Sequence, residues 1–178
     1  MGALNEKTKE TEKIIHIMIT SLCDRTCPDC CNNSYDLNSI PYVTKEELEK
    51  AEMIFLTGGE PFLYGNPCAI AKKLKFQYPN IKKVIVYTNA VELGYYLNAD
   101  KGSIYAIDGV NISIKNGYDA EVFENSIKNN DKIRSLPDNW IYCFPPFDVD
   151  CDSRYFKKFV REWQKEFNAA PDSIFRKL

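Results

Sequence analysis

Short β-branched runs alternate with runs of helical spacing along most of this chain. Ile14–Thr20 is almost continuously apolar, as expected for a strand buried on both faces of a parallel sheet. Thr44 with Glu47 three positions on forms a capping box that opens a short helix over Lys45–Lys50. A second strand is predicted at Met53–Thr57, and a helix over Pro67–Tyr78 with Ile70, Leu74 and Tyr78 on one face. Lys83–Thr88 reads as a third strand, Ala90–Asn98 as a helix, and Val110–Ile114 as a fourth strand, with a strand-like piece before it at Ser103–Ile107. Tyr118–Asn129 has helical spacing and Trp140–Phe144 is β-rich. Ser153 would cap a last helix to Phe167, with Phe156, Phe159, Val160 and Trp163 inward. Ala169–Leu178 carries no assignable pattern.

Strand–helix alternation implies right-handed crossovers, and so a parallel sheet with helices outside. Five such units are too few for an eight-fold barrel of about 250 residues. The expected fold is therefore α/β, an open partial (β/α) barrel with a curved parallel sheet. Residues 14–178 form one domain behind a solvated, mixed-charge arm at 1–13. In such sheets, sites gather at the C-terminal ends of the strands. The Cys-rich segment follows strand one, Gly58-Gly59-Glu60 follows strand two, and Thr88-Asn89 closes strand three.

A net charge of −2, with no cluster of Lys and Arg, gives no nucleic-acid footprint. No stretch reaches the roughly 20 apolar residues of a membrane span, and no basic-then-apolar leader opens the chain. A cytoplasmic location is expected. Seven cysteines cannot all pair, and four of them, Cys23, Cys27, Cys30 and Cys31, fall within nine residues. A group so tight suits a metal or cluster site better than a disulfide framework.

Cys23-Asp24-Arg25-Thr26-Cys27-Pro28-Asp29-Cys30 has the spacing C-x3-C-x2-C. Three thiolates could ligate three irons of a [4Fe–4S] cluster and leave one iron open to an exogenous ligand. Structural zinc is the competing reading of these residues. Zinc wants four protein ligands, and the fourth would be Cys31, awkwardly adjacent to Cys30, or His16 inside the first strand.

At these positions the chain resembles the radical S-adenosylmethionine superfamily. The resemblance rests on Cys23, Cys27 and Cys30 after a first strand and on Thr57-Gly58-Gly59-Glu60-Pro61 after a second. Tyr87-Thr88-Asn89-Ala90 and Asn111-Ile112-Ser113-Ile114 follow in family order, so that the matches run from about residue 14 to 115. The resemblance implies that Cys23, Cys27 and Cys30 hold a [4Fe–4S] cluster whose open iron binds the methionine part of S-adenosyl-L-methionine. Gly58, Gly59 and Glu60 would hold the amino group, with the glycines letting backbone approach closely. Asn89 and Ser113 would face the ribose pocket. An electron from a donor such as a flavodoxin or ferredoxin would cleave the sulfonium and yield a 5′-deoxyadenosyl radical. The substrate would be a partner protein, as for the activating enzymes of glycyl-radical enzymes, or a small molecule or peptide; shortness of the chain slightly favours the first.

The chain departs from the family pattern where Asp29 and Cys31 stand in place of aromatic residues. No adenine motif marks the fifth strand, although Tyr142 and Phe144 could line a pocket, and no sixth strand is evident. Cys68, Cys143 and Cys151 are too scattered for a second cluster. Tyr95, Tyr96, Lys115, Asp148 and Asp150 are expected to serve packing or solvation. A non-catalytic zinc- or cluster-binding module and an electron-transfer protein are the other functional classes open to the sequence.

Overall fold

Seven strands form one sheet, all parallel. The structure, a computed structural model, describes residues 13–27, 30–33, 36–99, 103–162 and 172–178. In chain order come β1 (Lys13–Thr20), α1 (Lys45–Leu48), β2 (Ala51–Gly58), α2 (Pro61–Tyr64), α3 (Pro67–Gln77), β3 (Lys83–Asn89) and α4 (Ala90–Asn98). Then follow β4 (Gly109–Ile114), α5 (Gly117–Val122), α6 (Asp131–Arg134), β5 (Asn139–Cys143), β6 (Phe156–Val160) and β7 (Ser173–Lys177). The strand order is β6-β5-β4-β3-β2-β1-β7, so the sheet is open and does not close into a barrel.

The local causes are visible. Thr44 Oγ1 accepts from the Glu47 amide while Glu47 Oε2 accepts from the Thr44 amide, closing the capping box of α1. Pro67 stands in the first turn of α3 behind an Asn66 cap. Continuous hydrophobicity in β1 corresponds to burial on both faces: Ile15 and Ile17 join the helix-side core, while His16 and Met18 are buried opposite. The helix side is a close-packed aliphatic core, into which α4 sends Leu93 and Leu97. The other face is aromatic. His16 stacks on Phe55 with ring centroids 4.7 Å apart, Phe55 meets Tyr87 at 5.5 Å and Trp140 at 6.0 Å, and Tyr142 stacks on Phe159 at 5.3 Å.

Two expectations are corrected, at Ser153 and at Ser103, and two further segments take a form the sequence did not specify. Where a helix from Ser153 was expected, Phe156–Val160 is a sixth strand, paired from Asn139↔Phe156 to Cys143↔Val160. Spacing at 156, 159 and 160 suits a helix, but Phe156 alone is buried and Phe159 and Val160 are exposed, as on an edge strand. The rest of that predicted helix, from Trp163 to Phe167, lies outside the described residues. Ser103–Ile107 holds a 3-10 turn at Ile104–Ala106, whose buried Ile104 and Ile107 mimic a strand signal. The unassigned tail contains β7, which pairs with β1 from Ile14↔Ser173 to Met18↔Lys177. The predicted helix from Tyr118 begins as α5 and continues as a π-helical turn over Phe123–Ile127. The arm at 1–12 lies outside the described residues.

Candidate functional site

Every candidate residue lies at or just beyond the C-terminal end of a strand: Cys23, Cys27 and Cys30 after β1, Gly58, Gly59 and Glu60 at the end of β2, Asn89 at the end of β3, Ser113 near the end of β4. Backbone contacts tie the first two groups together. The Gly59 amide donates to Thr20 O and the Glu60 amide to Leu22 O, both at 2.8 Å. Asn32 Nδ2, beyond the last candidate ligand, reaches Gly58 O at 3.4 Å. The segment bearing the cysteines is thus held against the Gly-Gly turn at its start and at its end.

This contact explains the glycines. Gly58 has φ +130°, and a Cβ there would sit 2.0 Å from Thr20 O. A Cβ on Gly59 would sit 1.9 Å from Leu22 O. The sequence assigned these glycines a close approach of backbone; in the structure they lie against the carbonyls of Thr20 and Leu22.

Glu60 is a buried carboxylate, 2% exposed. Its Oε1 accepts from Thr88 Oγ1 at 2.6 Å and from the Phe62 amide at 3.1 Å, and its Oε2 accepts from the Asn89 amide at 2.9 Å. It therefore caps α2 and bridges the end of β2 to the end of β3. Burial, against these hydrogen bonds, pushes its carboxyl up to about 7. A carboxylate has about four acceptor positions, so capacity for a further cationic donor remains. Asn89 caps α4 by accepting from the Glu92 amide at 2.8 Å. In register with it on the next strand stands Ser113, half-buried, and beside Ser113 on β5 stands Tyr142.

None of the three candidate cysteines is in a disulfide among the described residues: Cys23 is exposed, and Cys27 and Cys30 are half-buried. The Cys30 amide donates to Cys27 O at 3.2 Å. Among the described residues no three His, Cys, Asp or Glu side chains form a group able to hold a metal, so these thiols do not make a preformed cage. Pro28 and Asp29 lie outside the described residues, as does the Cys31 side chain. Partial desolvation of its sulfur comes first among the causes that push the Cys23 thiol up; Asp24 and Glu60 add to it and the Arg25 amide opposes it. The donor chemistry, three soft sulfurs on one anchored segment beside a buried acidic acceptor, fits an iron–sulfur cluster with a cationic cosubstrate. His16 is buried against Phe55, and burial lowers it to about 4, so it is a neutral core imidazole. Cys68 and Cys143 are buried singly in the helix-side core.

Sequence reasoning missed one pair. Arg25, between the first two candidate ligands, makes a two-pronged bond to Asp119 of α5, with Nη1 to Oδ2 and Nη2 to Oδ1 both 2.7 Å. Asp119 is fully buried and also accepts from the Lys115 amide at 3.0 Å. No local periodicity links positions 94 apart, and an acidic residue in a first helical turn reads as ordinary solvated charge. No helix among the described residues is long and apolar enough to cross a membrane. In comparisons with known proteins, the chain matches no family model, no curated protein and no solved structure.

Proposed function

We propose that this chain is a radical S-adenosylmethionine enzyme, with Cys23, Cys27 and Cys30 as ligands of a [4Fe–4S] cluster and the open sheet as the curved partial barrel of that superfamily. What supports the proposal most is one observation: the Cys-bearing segment and the Gly58-Gly59-Glu60 turn are hydrogen-bonded into one unit at the C-terminal edge of a parallel sheet. A cluster held by Cys23, Cys27 and Cys30 would supply the one-electron reduction that cleaves the sulfonium of S-adenosylmethionine and starts radical chemistry on a substrate.

The residues of the chain bind and orient. Glu60, already accepting three hydrogen bonds, offers its remaining acceptor capacity to an ammonium group, and a cation there favours the ionised carboxylate over the burial that opposes it. Asn89 and Ser113, neighbours in register, offer amide and hydroxyl groups to a ribose. Cys23, Cys27 and Cys30 would have to lose their protons to ligate, so loading would release protons. The electron comes from a protein such as a flavodoxin or ferredoxin. The substrate we favour is a segment of a partner protein over a small molecule or peptide, since the sheet does not close into a barrel around its strand ends. Reduced thiols on an exposed segment suit the cytoplasm.

The test is anaerobic. Reconstituted protein, reduced in the presence of S-adenosylmethionine, should release 5′-deoxyadenosine, and Cys27→Ala should release none. Equal yields from the two would remove Cys27 as a ligand. A colourless wild type holding one tightly bound zinc would replace the enzyme with a zinc module.

A further inference from the structure

Arg25 is tied twice to places far apart in sequence. Its backbone belongs to the Cys23–Cys27 arch, and its guanidinium lies with 15% side-chain exposure against a carboxylate with none. A bidentate guanidinium–carboxylate pair fixes orientation as well as distance. Asp119 is itself immobilised. Its amide donates to the Asn116 cap at 2.8 Å, and its Oδ2 accepts from the Lys115 amide. These contacts fasten it to the segment that leaves β4 immediately after Ser113 and Ile114. The arch is thus held on two sides, by the Gly-Gly turn at the end of β2 and by the start of α5 beyond β4.

We infer that the Arg25–Asp119 pair is a latch that positions the candidate ligand arch in the metal-free protein, so that the thiols and the Asn89–Ser113 strand ends share one rigid frame. This rests on the ligand assignment proposed above. A buried acid and a guanidinium are costly to desolvate, and a hydrophobic pair would serve stability as well or better. Such a pair sets geometry: it allows one seating of the arch, and removal of either partner leaves the other uncompensated. The Arg25 side chain engages the Asp119 carboxylate rather than a candidate ligand sulfur, so both are positioning residues.

The test uses reduced, metal-free protein and the variants Asp119→Asn, Arg25→Met, Arg25→Lys and the Arg25→Met/Asp119→Asn double. Hydrogen exchange should quicken about tenfold or more in peptides covering residues 21–33 of the first two variants, with β2 and β3 unchanged. Arg25→Lys, which keeps the charge and loses the fork, should fall between. It also keeps the test open should Asp119→Asn fail to fold. The double variant should cost no more than either single one, because the pair acts as a unit. In parallel, Co2+ is titrated and followed by thiolate-to-cobalt absorption; its affinity should weaken about 10- to 100-fold in Asp119→Asn and Arg25→Met. Unchanged exchange at 21–33, or exchange that quickens equally across the whole sheet, overturns the latch. A wild type that takes up no cobalt on sulfur overturns the ligand assignment instead, and the exchange measurement still decides the latch.

Discussion

Glu60 and His16 are buried on opposite terms. Burial holds the Glu60 carboxyl up to about 7 from its ordinary 4.5, and holds the His16 imidazole down to about 4 from 6.5. Folded Glu60 keeps a proton that the unfolded chain releases, so this residue takes stability away as pH rises from about 4.5 to about 7. Folded His16 refuses a proton that the unfolded chain takes up, so it takes stability away as pH falls from about 6.5 to about 4. Each full shift converts to about 3 kcal/mol, and the two slopes oppose one another where their windows overlap. Urea midpoints measured across that range should separate them. Relative to wild type, His16→Phe should lose stability as pH rises and Glu60→Gln as pH falls; variants that both run parallel to wild type would contradict this account. The motif marks Glu60 as a site residue in the sequence, but its bridge from β2 to β3 is tertiary and leaves no local trace. His16 read as a core or edge residue, and it is a core one, stacked on Phe55.

At the scale of elements, the Gly-Gly turn fits the Cys-bearing segment as one backbone laid on another. Gly59→Ala must displace Leu22 O, which a Cβ would meet at 1.9 Å. It should lower the thermal midpoint sharply and loosen the arch, whereas Gly117→Ala, with nothing within 4 Å of the added atom, should be neutral or stabilise by about 0.4–1 kcal/mol. Equal midpoints for the two variants would mean that the contact carries no stability. Strands β1 to β5 were legible to within a few residues because they are buried on both faces and bounded by caps and turns. Strand β6 was not, because it is an edge strand with one buried anchor, and its aromatic spacing also satisfies a helix. Strand β7, Ser-Ile-Phe-Arg-Lys, is too short and too half-buried to announce itself. The spacing of the candidate cysteines was legible in the sequence; the contact of Arg25 with Asp119 was not.

Across the whole molecule, β7 makes the sheet continuous on the far side of β1. It pairs with β1 over five positions, and Arg176 forms an ion pair with Glu47 of α1 at 2.6 Å. On its outer side, the Val43 amide donates to Lys177 O and the Lys177 amide to Pro41 O. Deleting residues 172–178 would leave β1 as a bare parallel edge with unpaired backbone groups. The shortened chain should aggregate or elute as oligomers on size exclusion, and its arch should lose protection from hydrogen exchange. A monomer with unchanged protection would show that β7 is dispensable. The sequence missed a strand at each edge of the sheet, and β7 escaped because it sits next to the first strand and no short-range pattern records that neighbour.

This arrangement also has a history in time. Ile14 waits for Ser173 as its partner on that side, and a chain made from its amino end leaves that side of β1 unpaired until β7 has been made. Over that interval the cysteines that follow β1 stand beside an unfinished edge, within reach of any oxidant.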